Sequence, residues 1–237
     1  MSARARELSI GVVIPTLNEA ERIGSQLSAL RDARGFARVV VSDGGSQDDT
    51  LALVRRHPEV TLVEGPCGRA PQMNRGAACL ADMDVLCFVH ADVRLPVEAP
   101  RLIQRALDRH DTVAGAFRTW TIADGVRRPW WRPLLHLADL RSRYAGLPYG
   151  DQALFVRREV FERLGGFPEQ PLMEDLELSR RLRRQGRIAR VKASVTVSGR
   201  RFIERPVFFT AVVNVFPLLY RVGVPAHTLR KLYDDIR

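Results

Sequence analysis

The chain has 237 residues, 46% of them hydrophobic, and 37 Lys and Arg against 27 Asp and Glu give it a formal net charge of +10. That length holds one large α/β domain or two small ones, and the composition is that of a globular protein, not of a disordered or fibrous one. The charge suits an anionic ligand (a nucleotide, a nucleic acid or an acidic membrane surface) and equally suits an Arg-rich genome with no ligand in view.

Cys67, Cys79 and Cys87 have no CxxC spacing and read as small core residues in a reducing, cytoplasmic compartment. Met1 to Leu8 is short and polar, so no signal pattern is expected, and no stretch reaches about 18 clean apolar residues, so no spanning helix is expected either.

Taken in order, Leu8 to Ile14 is a first strand, stopped by Pro15, and Asn18 is a candidate N-cap for a helix with Ile23, Leu27 and Leu30 on one face, closed by Gly35. Val39-Val40-Val41 is a second strand ending in Ser42-Asp43-Gly44-Gly45-Ser46, with Asp48 capping the helix that follows. Val60 to Val63 is a third strand. Gly65 to Arg69 is a loop before a helix carrying Met73, Ala77 and Leu80. Val85-Leu86-Cys87-Phe88-Val89 is a continuous apolar run, the pattern of a strand buried on both faces, and it turns abruptly into His90-Ala91-Asp92. Asp92 reads either as a ligand-binding carboxylate at a strand end or as a cap for the helix after Pro96.

The second half is less regular. A helix is expected over Pro96 to Leu107 and a strand over Val113 to Ile122. A helical stretch interrupted by Pro133 follows over Trp130 to Leu140, then a loop from Arg141 to Asp151. A strand over Ala153 to Val156, a short helix over Arg158 to Leu164, a Gly165-Gly166 turn, a helix opening at Glu174-Asp175 and a last strand over Val191 to Val197 complete it. The working division is one domain over 1–199, with halves at about 8–95 and about 96–199, and an apolar and basic helical tail over 200–237. The run Pro206 to Phe216 is too short to span a bilayer. It is expected to lie in the membrane interface, to pack on a second copy, or to cover the domain's own sheet.

Strand and helix alternate three times before the fourth strand, which means parallel βαβ units. Each strand ends in a polar or glycine-bearing loop at the edge where such sheets bind ligands. There is no GxGxxG after the first strand and no GxxxxGK[ST], which excludes the dinucleotide fingerprint and the P-loop. A nucleotidyltransferase or pyrophosphorylase is the alternative enzyme, although Pro15-Thr16-Leu17-Asn18-Glu19 lacks the Gly-rich basic loop that would hold a triphosphate. A non-catalytic nucleotide-sugar binder is the remaining alternative; no nucleic-acid motif is visible.

Together, Val13 to Glu19, Ser42 to Asp48, His90-Ala91-Asp92, and Gly165-Gly166-Phe167 with Glu174-Asp175 resemble a family-2 glycosyltransferase of the GT-A fold, over roughly residues 9 to 190. The implied fold is α/β: a Rossmann-like, mostly parallel sheet flanked by helices, with a more irregular acceptor-side half. Gly68-Arg69-Ala70, Phe88 to Asp92 and Gly150-Asp151-Gln152 more narrowly resemble the small bacterial radical-SAM/selenodomain-associated transferase 2 group, also named for arsenosugar biosynthesis. The resemblance implies a UDP-sugar or GDP-sugar donor, a divalent cation (Mn²⁺ or Mg²⁺), an acceptor hydroxyl and inversion at the anomeric carbon. On that basis Asp92, with His90, is expected at the metal. Pro15, Thr16, Asn18, Glu19, Gly44, Asn74 and Ala91 are expected to shape the nucleotide slot. Asp43 is expected to bond the base or ribose, and Arg69 to approach the base or diphosphate. Asp175 is the expected general base, with Glu174 its rival, and Gly150, Asp151 and Gln152 are expected on the acceptor side. The family usually carries two acids flanking one residue at the metal. Here the first is His90, a poorer partner for Mg²⁺ and an acceptable one for Mn²⁺.

Overall fold

The computed structural model describes residues 7–124, 130–144 and 146–236. Ala145, in the expected loop, and Arg237, at the end of the expected tail, lie outside the described residues. The first half alternates as its pattern requires: β1 (Ile10–Thr16), α1 (Ala20–Asp32), β2 (Arg38–Asp43), α2 (Thr50–Val54), β3 (Val60–Glu64), α3 (Arg69–Ala78) and β4 (Val85–Phe88). There follow β5 (Val93–Arg94), α4 (Ala99–Leu107), β6 (Thr112–Ile122), α5 (Arg132–Tyr144), a 3₁₀ turn (Gly150–Gln152), β7 (Phe155–Arg157), α6 (Arg158–Arg163), α7 (Glu174–Gln185) and β8 (Arg187–Ser198). Three helices close the chain: α8 (Arg201–Glu204), α9 (Pro206–Arg221) and α10 (Ala226–Ile236).

One eight-stranded sheet runs β3-β2-β1-β4-β7-β6-β8-β5. The first four strands are parallel, so the loops after β1, β2, β3 and β4 leave from one edge. From β7 onward the sheet is mixed: β7 is antiparallel to both β4 and β6, β8 is parallel to β6, and β5 is antiparallel to β8. Alternation along β1 sends Val12 and Ile14 to a core shared with α1 and α4, and Val13 to a second core shared with α3, α6 and α7. All four residues of β4 are buried, as a strand covered on both faces requires.

Several expectations are corrected. Pro15 does not end β1: the strand continues through the Pro15–Ser42 and Thr16–Asp43 register pairs. Pairing with β4 stops at Val13, so proline stands where one neighbour has already left and a missing donor costs little. Asn18 is not the N-cap of α1. It adopts a left-handed conformation (φ 54°), its amide oxygen accepts from Gln47 N–H, and Glu19 is the capping residue. The two-residue strand β5 was too short to show a period. The helix expected to stop at Leu140 continues to Tyr144, and Pro133 is tolerated because it lies in the first turn. That extension has a structural purpose. β7 pairs with β6 only at Ala114 and Gly115, leaving the rest of that β6 edge open. Ser142 and Asp139 of α5 close it by accepting from Thr119 N–H and Thr121 N–H, each at 3.1 Å.

Candidate active site

The ends of β1 and β2 form a tightly bonded shelf. Asp43 is fully buried, and its two oxygens accept from Thr16 Oγ1 (3.1 Å), Gly45 N–H (2.7 Å), Ser46 N–H (2.8 Å) and Ser46 Oγ (2.6 Å). A carboxylate has about four acceptor positions, so Asp43 is saturated by its own loop. It builds the shelf, and no position is left over for a base or ribose in this conformation. Gln72 of α3 clamps the same shelf, donating through Nε2 to the carbonyls of Thr16 (2.7 Å) and Ser42 (3.0 Å). Its only sequence signal is a buried amide on an apolar helix face. Asn74 is also committed elsewhere. Its amide bonds both the carbonyl (2.9 Å) and the N–H (2.8 Å) of Phe167, so it fastens the Gly165-Gly166-Phe167 turn to α3 instead of facing the slot.

The loop after β4 carries His90, Ala91 and Asp92. The Asp92 carbonyl accepts from Ser198 N–H at the end of β8 (3.0 Å), which ties this loop to the start of the tail. Directly beyond, Arg200 grips Glu19 with both terminal nitrogens, one of them at 3.1 Å, and stands 3.9 Å from Asp92 Oδ2. Burial opposes the charge of Arg200, but Glu19 and Asp92 more than restore it and raise its pKa. Arg200 was not expected in the site. It is one of many arginines in a tail with no motif, and only the fold brings it 181 residues back to Glu19.

The Gly150–Gln152 turn, expected on the acceptor side, lies against His90 and Asp175. A Cβ on Gly150 would lie 3.1 Å from Asp175 Oδ2 and 3.1 Å from the His90 ring, so both groups pack closely on this loop and a larger residue would have to push them back by a few tenths of an ångström. Gly150 N–H donates to Asp175 Oδ2 at 2.6 Å, and Leu176 N–H donates to Oδ1 at 2.7 Å. Met173, in a left-handed conformation (φ 63°), turns the chain into α7 immediately before the two acids. Glu174 is buried against Arg69, with Oε1 at 3.3 Å from Nη1. Burial pushes the Glu174 carboxyl up, Arg69 pulls it back, and Asp175 adds to the rise. Asp151 is likewise raised by burial, opposed by Arg141 at 3.3 Å, and raised further by Asp175 and Asp92. Its Oδ1 is buried with no hydrogen-bond partner among the described residues. Gln152 is buried beneath this turn. Arg141, the second unexpected residue, also stacks 3.9 Å over the Tyr149 ring and donates to the Val213 carbonyl of α9.

The site therefore gathers Asp92, Asp151, Glu174 and Asp175 at one strand edge and sets Arg69, Arg141 and Arg200 among them. Among the described residues no three His, Cys, Asp or Glu side chains form a metal cage. Mg²⁺ and Mn²⁺ at nucleotide sites are held through one or two carboxylates, with the remaining positions taken by phosphates and water, and Asp92 with the neighbouring His90 would be the residues to hold such an ion.

The eight-stranded α/β sheet, parallel in its first half and mixed in its second, matches the GT-A fold. A model of glycosyl transferase family 2 matches residues 11–165. The chain belongs to that family. It is 31% identical over 192 residues, 74% of its length, to the succinoglycan biosynthesis protein ExoA of Rhizobium meliloti, and spans 58% of that relative. Its fold is similar to a mannosyltransferase of Pyrobaculum calidifontis solved with GDP-Man and Mn²⁺ (TM-score 0.64, 21% identity, 95% of this chain and 69% of that one). It is also similar to the glucosyl-3-phosphoglycerate synthase of Mycobacterium tuberculosis solved with Mn²⁺, UDP and phosphoglyceric acid (TM-score 0.63, 22% identity, 92% and 80%).

Proposed function

We propose that the chain is an inverting, metal-dependent glycosyltransferase that moves a sugar from a UDP-sugar or GDP-sugar to an acceptor hydroxyl in the cytoplasm. The observation that carries this reading is the meeting of Asp175 and His90, which lies two residues before Asp92, across the Gly150 loop. One carboxylate suits a cation on the donor's diphosphate and the other suits an acceptor proton. The Mn²⁺ and nucleotide contents of the two solved relatives support the same donor class. The narrower likeness to the radical-SAM/selenodomain-associated transferase 2 group rests on the short motifs around Arg69, His90 and Gly150, and leaves the acceptor open.

In this mechanism the acceptor oxygen attacks the anomeric carbon from the face opposite the diphosphate. The bond to the diphosphate oxygen breaks, and the hydroxyl proton passes to Asp175. Two backbone donors hold that carboxylate in one orientation while leaving acceptor positions on both oxygens. A divalent cation, when bound beside Asp92, would neutralise charge on the departing diphosphate. Arg69 and Arg200 supply further positive charge on the donor side. The Asp43 shelf, with Pro15, Thr16, Gly44 and Asn18, would form the nucleotide wall. Asp151, with one buried oxygen unpartnered, is suited to an acceptor hydroxyl.

The test is turnover of a panel of nucleotide-sugars with Mn²⁺. Release of nucleoside diphosphate with sugar transfer or slow donor hydrolysis is expected. Cleavage that requires pyrophosphate would make the protein a pyrophosphorylase, and binding without turnover would make it a nucleotide-sugar binder.

A further inference from the structure

Helices α5 and α9 pack on each other, and both turn apolar side chains outward. On α9 the exposed positions at one angular stripe are Val207, Ala211, Val215 and Leu218, continued by the C-cap residue Val222, with spacings of four, four, three and four. On α5 they are Pro133, Leu137, Leu140 and Tyr144, with spacings of four, three and four. Surface helices of soluble domains carry polar residues on their outer stripe; here neither stripe has one. Trp130 and Tyr144 are 76% and 77% exposed and bracket α5, roughly 20 Å apart at 1.5 Å per residue.

We propose that this two-helix face docks on an anionic lipid bilayer, lying in the interface without crossing it. Three observations select a bilayer over other occupants. On the two helices themselves the exposed charge is basic: α9 contains no acidic residue and is flanked by exposed Arg205 and Arg221, and the single acid of α5, Asp139, is buried against β6. Aromatic residues sit at the rim of the apolar area, where amphipathic rings favour the headgroup level. A second copy facing this surface would present the same basic α9 and the same net charge of +10. No helix among the described residues is long and apolar enough to cross a membrane.

The face is coupled to the active site. Arg221 of α9 donates to Tyr149 Oη at 3.3 Å, and Arg141 of α5 joins the Val213 carbonyl to Asp151. Docking would therefore hold the acceptor-side loop near the headgroups. That consequence rests on the transferase reading; the docking itself does not.

The experiment uses the full chain, without nucleotide or acceptor, and extruded vesicles of phosphatidylcholine alone or with roughly 30% phosphatidylglycerol. Flotation with the anionic vesicles is expected, with weaker binding to the neutral ones. The double variant Leu140→Ser, Leu218→Ser is expected to lower partitioning by about tenfold, since each serine removes an exposed apolar side chain from the contact. Brominated lipids are expected to quench tryptophan emission of the unmodified chain, a readout that needs no variant. A monomer that neither floats nor is quenched overturns the proposal. So does a dimer in buffer that the double variant dissociates. Loss of donor turnover with flotation intact would remove the transferase reading and leave the docking face standing.

Discussion

Glu174 and Asp175 are neighbours in the chain with opposite surroundings. Glu174 is buried in a pair with Arg69, whereas Asp175 is aimed by the Gly150 and Leu176 amides at the loop that also touches His90. Asp175→Asn is therefore expected to leave donor affinity nearly unchanged and to lower sugar transfer by about 10² to 10⁴, the worth of a positioned general base. Glu174→Gln should reduce transfer by less than about tenfold while loosening Arg69; the reverse pattern in steady-state rates would exchange the two roles. Asp151 makes a pH prediction. Burial raises its folded carboxyl above the usual 3.8, so the folded protein binds that proton more tightly than the unfolded chain. Its contribution to stability is therefore present below that value and is lost as pH rises through the raised one. Asp151→Asn should melt close to the natural protein at acid pH and progressively above it toward neutrality. A gap that narrows as pH rises would contradict the sign.

At the scale of elements, the parallel half of the sheet was legible because each strand had a clean apolar run and a polar exit. The residues Asp43 and Asp92 at strand ends stood out for the same reason, and Asp175 stood out as a first-turn acid after the Gly165-Gly166-Phe167 turn. What could not be read was how those side chains are used. Asp43 and Asn74 look like free polar ligands in the sequence, but Asp43 accepts from the hydroxyls and amides of its own shelf and Asn74 bonds both backbone groups of Phe167, 93 positions away. The mixed half was harder, because β5 has two residues and β7 three, and because α5 serves as a substitute neighbour for β6. The Gly165-Gly166 turn offers a direct check of the Asn74 clamp. Both glycines have positive φ (74° and 77°), but a Cβ on Gly166 would come within 2.6 Å of Asn74 Oδ1, and one on Gly165 would meet nothing within 4 Å. Gly165→Ala should cost about 1 kcal/mol in denaturant unfolding, and Gly166→Ala about 2 to 3 kcal/mol because strain and clash add. Equal costs would mean that Asn74 does not restrain the turn.

The molecule as a whole is an α/β sheet domain joined to a helical tail through Arg200. The tail was expected as one apolar and basic stretch. Its three helices and their attachment to the Glu19 and Asp92 loops depend on contacts no local pattern encodes. Arg200→Ala should cost about 1 to 3 kcal/mol, the range for hydrogen bonds to a charged group, and should speed proteolytic cleavage between β8 and α9; unchanged protection would detach the tail from the site. The central claim is that one carboxylate serves the cation and another the proton. Calorimetric titration of UDP and GDP with Mn²⁺ into the natural protein, Asp92→Asn and Asp175→Asn, read beside donor turnover for each, tests it most directly. Asp92→Asn is expected to lose the Mn²⁺-dependent part of nucleotide affinity, whereas Asp175→Asn keeps it and loses only turnover. Mn²⁺-dependent affinity that survives in Asp92→Asn, or disappears in Asp175→Asn, would contradict it.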